Sequence, residues 1–166
     1  MWNDSHIPMA ILFTFRCYGT WLHGDERGSI DRFQNICGTP HIAPDSEKAQ
    51  RKKRLMNHEE VKLTPSMRDA VVRGIKKLCR DRNWRIQAIN VRTNHVHVVI
   101  SIGAYVPGRA LAAIKAFSTK SMRESGCWEH EHSPWSEKGS KRMLWTEAQV
   151  NEANYYVTDR QGGALE

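Results

Sequence analysis

The chain contains no stretch approaching the ~20 consecutive apolar residues that a membrane helix requires, which excludes a helical membrane span from the reading. Its first residues, Met1-Trp2-Asn3-Asp4-Ser5-His6, carry no secretory signal pattern. A soluble cytoplasmic protein is therefore expected. Cysteine is scarce and scattered: Cys17, Cys37, Cys79 and Cys127 show no Cys-x-x-Cys spacing. Neither a zinc knuckle nor a disulfide framework follows from such spacing, and reduced, packed thiols are the expectation. Negative charge is also in short supply, with 18 Asp and Glu against 25 Lys and Arg and a net charge of +7. That balance favours an anionic partner, of which nucleic acid is the commonest. What is present is enough apolar material, 40% of 166 residues, for one compact domain spanning residues 1–166.

The most informative segment is Asn94-His95-Val96-His97-Val98-Val99-Ile100. Its alternation reads as a strand with Val96, Val98, Ile100 and Ile102 on one face and His95, His97, Val99 and Ser101 on the other. Residues at i and i+2 of a strand share a face, roughly 6.6 Å apart. Two imidazoles so placed can grip one divalent ion through neutral ring nitrogens. The second His-x-His, His130 and His132, sits in a polar segment next to Pro134 and reads as incidental.

Along the chain, residues 10–18 are rich in β-formers and end at Gly19, giving a first strand. Residues 19–44 read as a long irregular excursion, and its opening, Tyr18-Gly19-Thr20-Trp21-Leu22-His23-Gly24-Asp25-Glu26-Arg27-Gly28, mixes aromatic, basic and glycine residues. Aromatic planes beside guanidinium groups suit unstacked bases. A dense basic run follows at residues 48–54. Thr64-Pro65 then supplies an N-cap and a first-turn proline ahead of Met67, Val71, Ile75 and Leu78 at helical spacing. A strand over residues 84–91 turns near residues 92–94 into the histidine strand. A second amphipathic helix carries Ala110, Leu111, Ile114 and Phe117 inward, with Arg109, Lys115, Lys120 and Arg123 on its basic side. Residues 142–145 suggest one more strand, and Thr146-Glu147-Ala148-Gln149 is a capping-box pattern opening a last helix that Gly162-Gly163 closes.

Strand, helix, strand, strand, helix, strand is the order of a ferredoxin-like α+β sandwich, an antiparallel sheet backed by helices. The histidine strand falls at its centre. The last helix is extra to that core and carries Tyr155 and Tyr156.

These residues resemble the HUH single-tyrosine transposases, of the insertion-sequence type and including the REP-associated tyrosine transposases. His95-Val96-His97 matches their histidine triplet. The resemblance extends to residues 18–25, 90–94 and 135–145 and to the tyrosine helix. It implies a transposase acting as endonuclease and strand transferase on single-stranded DNA, often beside a hairpin, through a tyrosine that forms a 5′-phosphotyrosine and frees a 3′-hydroxyl. It further implies a divalent metal, Mg or Mn, a homodimer, and a cytoplasmic protein associated with the nucleoid when on DNA.

By the same resemblance Tyr156 is the expected nucleophile, with His95, His97 and Gln161 as metal ligands. The position four residues after Tyr156 is Arg160, which cannot ligate a cation, whereas Asp159 stands four after Tyr155. Two arrangements stay open: Gln161 serving Tyr156, or Asp159 serving Tyr155. Trp21, His23, Asp25 and Arg27 are candidate DNA contacts, and Lys115, Lys120, Arg123 and Lys141 candidate phosphate contacts. Two rival readings are a noncatalytic nucleic-acid-binding protein and a metal-dependent hydrolase that uses the histidines without a covalent tyrosine.

Overall fold

The computed structural model describes residues 6–20 and 57–160. Trp21, His23, Asp25, Arg27, the basic run at 48–54, Gln161 and the glycine pair at 162–163 lie outside the described residues. The elements are β1 (Ala10–Cys17), α1 (Pro65–Arg82), β2 (Arg85–Val91), β3 (His95–Ser101), α2 (Pro107–Glu124), β4 (Trp135–Leu144) and α3 (Glu147–Asp159). The four strands form one sheet in the order β2-β3-β1-β4, with every pairing antiparallel. This is the α+β, ferredoxin-like order expected from the sequence, with β3 as an inner strand.

Helix boundaries follow the local chemistry. Thr64 caps α1 by accepting from the Met67 N–H at 3.3 Å, and Pro65 occupies the first turn where no donor is needed. Asn83 ends α1 in the left-handed conformation, φ 56°, which a short polar side chain tolerates better than most. On α3 the Thr146 and Gln149 side chains satisfy each other's backbone N–H groups as a full capping box.

α1 and α2 cover one face of the sheet. There Ile11, Phe13 and Phe15 of β1 and Val96, Val98 and Ile100 of β3 meet Val71, Ile75 and Leu78 of α1 and Leu111, Ile114 and Met122 of α2. Burying each of the larger side chains contributes roughly 1.5–3 kcal/mol. The helices approach closely at Gly74, where a Cβ would come within 2.6 Å of the Phe117 carbonyl oxygen. The Ser121 hydroxyl donates to the Ala70 carbonyl at 2.5 Å across the same seam. α3 packs on the opposite face through a smaller cluster of Ala10, Leu12, Ala88, Val99, Leu144, Val150, Ala153 and Val157.

β4 is longer than the four residues its apolar end suggests. Its first part is an edge strand, paired only with β1, whose residues from Glu137 to Arg142 are largely exposed and polar. An edge that faces solvent has no reason to alternate. Its register shifts opposite Phe15 and Cys17, and Lys115 of α2 fills the resulting irregularity by donating to the carbonyls of Ser136, Glu137 and Lys138 at 2.9, 3.3 and 3.0 Å. Trp135 answers by donating its indole N–H to the Thr119 hydroxyl at 3.0 Å.

Candidate metal and tyrosine site

The alternation of β3 places His95 and His97 on the α3 side of the sheet, away from the main core. Register then decides their neighbours. Thr14 of β1 lies opposite His97 on one side and Asn90 of β2 on the other, while Arg16 lies opposite His95. The two imidazoles have ring centroids 4.7 Å apart, with planes at 74°. Their Nδ1 atoms are held from outside: the His97 Nδ1 bonds with the Thr14 hydroxyl at 2.9 Å, and the His95 Nδ1 with the Asn94 side-chain oxygen at 2.7 Å. The Asn94 oxygen can only accept, so His95 keeps its proton at Nδ1 and its basic lone pair on Nε2, and the Thr14 hydroxyl can accept in the same way from His97. Such second-layer support is the usual setting of a histidine that ligates a metal.

α3 delivers a phenol to this pair. Its buried stripe is Val150, Ala153 and Val157. At 3.6 residues per turn Tyr156 lies about 90° from the centre of that stripe, and Tyr155 about 170°. The helix phase thus turns Tyr156 to the rim of the sheet contact and Tyr155 outward. The Tyr156 ring stands 5.5 Å from the His97 ring, centroid to centroid. His97 is 6% exposed and Tyr156 41%, so the phenol borders solvent beside a buried imidazole. Tyr155 is 57% exposed, with the Arg160 guanidinium 5.9 Å from its ring. A hydrogen bond from the Asn90 side chain to the Val157 carbonyl at 2.9 Å fixes the helix against β2.

Asp159 lies on the outer side with Tyr155, about 150° from the stripe centre, and accepts from the Thr158 hydroxyl at 2.8 Å. Among the described residues no third His, Cys, Asp or Glu joins the imidazole pair in a metal-holding group. Two supported imidazoles beside an open, solvent-bordering rim fit a divalent ion that takes its remaining ligands from other oxygens.

The basic candidates are dispersed. Lys115 is committed to the three β4 carbonyls, and burial first, then the nearby Lys141, lowers its pKa from the usual lysine value, with Glu137 opposing. Lys141 is opposite Phe13 and so faces α2 rather than α3. Lys120 makes an exposed ion pair with Glu124 at 3.9 Å, and Arg123 donates to the Glu131 carbonyl at 3.2 Å. All four lie on α2 or toward it, across the sheet from the histidines. His132 stacks on His58 with centroids 3.7 Å apart and receives the Trp128 indole N–H on its carbonyl at 3.0 Å. This ring cluster, which also includes Tyr18 and His130, joins residues 57–60 to the segment before β4.

The sequence alone does not mark Thr14, Asn90, Asn94, Arg16 and Arg92 as parts of a site. Asn94 had a visible signal, its place directly before His95. The others become neighbours only through strand register.

The profile of IS200-like transposases matches residues 54–151. The chain belongs to the IS200-like transposase family, and so has a role in DNA transposition. The matched region of this transposase takes in β2, β3 and the imidazole pair and stops short of Tyr155 and Tyr156. Solved structures similar to it include the following two. One, a REP-associated tyrosine transposase bound to a REP hairpin, is 12% identical with a TM-score of 0.48, over 95% of this chain and 69% of that one. The other, a candidate transposase from Deinococcus radiodurans R1, is also 12% identical with a TM-score of 0.48, over 98% of this chain and 97% of that one. No curated protein sequence matches the chain.

Proposed function

We propose that this transposase nicks and rejoins single-stranded DNA, at hairpin-flanked sites, with Tyr156 as nucleophile. The observation that supports this most strongly is the approach of Tyr156 to His97, with His95 alongside and both imidazoles braced at Nδ1. An ordinary phenol, pKa about 10, is a poor nucleophile at neutral pH, and a phosphodiester repels it. A divalent metal, Mg or Mn, held by His95 and His97 with Gln161 as third ligand would supply Lewis-acid polarisation of the phosphoryl oxygen.

The remaining work belongs to the chain itself. Tyr156 Oη forms a bond to phosphorus as the bond to the 3′ oxygen breaks. The phenolic proton is lost and the departing oxygen takes one up, leaving a 5′-phosphotyrosine and a 3′-hydroxyl. The phosphotyrosine keeps the energy needed for the reverse attack. Asn90 and the Val150, Ala153 and Val157 contacts hold α3 so that the phenol meets the phosphate from the rim.

Bases beyond the break would meet Trp21, His23, Asp25 and Arg27, and the strand would reach Lys141, Lys120 and Arg123 by passing around the β4 edge, which Lys115 holds in place. The proposal extends to a homodimer and to a cytoplasmic protein that joins the nucleoid on DNA, supported by family membership alone.

The test is incubation with labelled hairpin-flanked single-stranded DNA and Mn²⁺. A denaturation-resistant protein–DNA adduct, absent in the Tyr156→Phe variant, is expected. Cleavage without an adduct would indicate a hydrolase, and binding alone a noncatalytic module.

A further inference from the structure

The second His-x-His of the chain, His130 and His132, belongs to a column of rings that the nicking site does not use. The His58 and His132 imidazoles lie face to face, 3.7 Å apart with planes at 8°, and His130 follows His132 at 5.2 Å and 29°. Trp128 stands edge-on to His130 and His132, at 4.8 and 5.2 Å. The column is anchored at its root. Trp128 is buried in the core and donates its indole N–H to the His132 carbonyl at 3.0 Å, and His132 donates from Nδ1 to the Ser133 carbonyl at 3.1 Å. His130 itself is exposed, so the column ends in an open imidazole face.

The column borders a cavity of about 680 Å³, within the range of small-ligand sites. Glu59, Glu60 and Glu129 line it together with one lysine, Lys62, and none of the three carboxylates makes an ion pair among the described residues. A carboxylate only accepts hydrogen bonds. On their pairing edges thymine, cytosine and adenine set their one donor group beside an acceptor, whereas guanine sets two donors side by side. The cavity lining therefore favours a guanine edge and repels a phosphate.

Phosphates have a place next door. Arg73, Lys76, Lys77, Arg80 and Lys120 line a groove between α1 and α2, opposed there by Glu124. Ser125 lies at the end of this groove and Gly126, the next residue, borders the cavity. A cationic track beside a stacking ring is the arrangement that holds single-stranded nucleic acid. Tyr18 links the column to the end of the sheet where β3 begins: its ring is 5.9 Å from His58, and Cys17 before it donates its N–H to the Asn94 carbonyl at 2.9 Å.

We propose that an unpaired guanine of the DNA strand stacks on the open face of His130, with its donor edge on the cavity carboxylates and neighbouring phosphates in the α1–α2 groove. This inference rests on the single-strand reading above and adds a base-selective site to it. No covalent bond forms or breaks there.

Binding is measured by fluorescence anisotropy of fluorescein-labelled decathymidylate carrying one central dG, dA, dC or dT, with EDTA present and the Tyr156→Phe chain used so that no probe is consumed. The dG strand is expected to bind about 10-fold more tightly than the dT strand, the discrimination of one well-matched base edge. Stacking of a base on a ring is worth roughly 5- to 150-fold in affinity, so His130→Ala should weaken the dG strand about 5-fold or more. Glu129→Gln should bring the dG strand to within about twofold of the dT strand. Lys76→Gln should lower the slope of log K against log salt by about 0.7 for all four strands and keep the preference.

Equal affinity of the four strands, or a preference that survives both His130→Ala and Glu129→Gln, overturns the site. A preference that appears only when Zn²⁺ replaces EDTA assigns the rings to a metal and overturns it too. If His130→Ala fails to fold by thermal melting, Glu129→Gln, at an exposed position, decides the matter. A denaturation-resistant adduct from the parent chain without any base preference refutes the guanine site alone. A guanine preference with no adduct from the parent chain under any divalent metal refutes the nicking reading and leaves the guanine site standing.

Discussion

Toward α1 and α2, β1 and β3 present Ile11, Phe13, Phe15, Val96, Val98 and Ile100, every one buried. Toward α3 the same two strands present Thr14, Arg16, His95 and His97, and the helix on that face is seated on Leu12, Val99, Leu144 and the smaller Ala10 and Ala88. The backbone is common to both faces; only the odd and even positions differ. A strand that is apolar on one side can be rigid because of that side and reactive on the other. The large core fixes the strand that carries the imidazoles, and α3 packs beside them through a smaller cluster.

That contrast predicts that substitutions on the two faces separate chemistry from stability. The largest effect is expected for Tyr156→Phe, which should abolish the DNA adduct on a denaturing gel, by about 10³-fold or more, with an unchanged melting temperature. Tyr155→Phe should retain activity within a few-fold, because its ring points away from His97. Equal losses in the two would erase the distinction drawn from helix phase.

Next is Thr14→Val, which removes the brace on His97 without touching the proposed metal ligands. Loss of such second-layer support typically lowers metal affinity or activity about 10- to 100-fold, and a titration with Mn²⁺ should show the same displacement in the metal dependence of adduct formation. On the other face Gly74→Ala is expected to do the opposite. Its new methyl meets the Phe117 backbone, so thermal or denaturant unfolding should show about 1–3 kcal/mol of destabilisation, with the adduct yield per folded molecule unchanged.

The smallest effect concerns Cys17. Burial, with a lesser contribution from Glu60, pushes its thiol up to about 12 from an ordinary 9.0. The folded chain therefore holds this group neutral where the unfolded chain ionises it. The stability it contributes is full below pH 9 and is lost progressively as pH rises toward about 12. Alkylation at pH 8 should label Cys17 only after denaturation; ready labelling of the native chain would show that this end of the core is open.

Much of this arrangement is legible in the sequence, for reasons that are local. Thr64-Pro65 and the Thr146 to Gln149 box mark helix starts because capping needs only neighbours in the chain, and the β3 alternation separates the two faces because side-chain direction has a period of two. The early part of β4 is not legible, since an exposed edge strand held by Lys115 from another element leaves no apolar pattern of its own. Thr14, Arg16 and Arg92 are hidden for a different reason. They lie between 83 and 3 residues from the histidines they flank, and only pairing register brings them together. Which of Tyr155 and Tyr156 is turned toward His97 is likewise hidden in the sequence, and the packing of Val150, Ala153 and Val157 turns Tyr156 that way.

The proposed nicking chemistry requires the α3 face of the sheet to bind a divalent ion between His95 and His97 within reach of the Tyr156 phenol. Anomalous scattering from crystals grown with Mn²⁺ tests it directly. A single manganese peak is expected within ligation distance of Nε2 of both imidazoles, on the side of the ring pair facing Tyr156. Crystals that diffract well, contain Mn²⁺ and show no peak at that position, or show it at the His58 and His132 cluster instead, would contradict it.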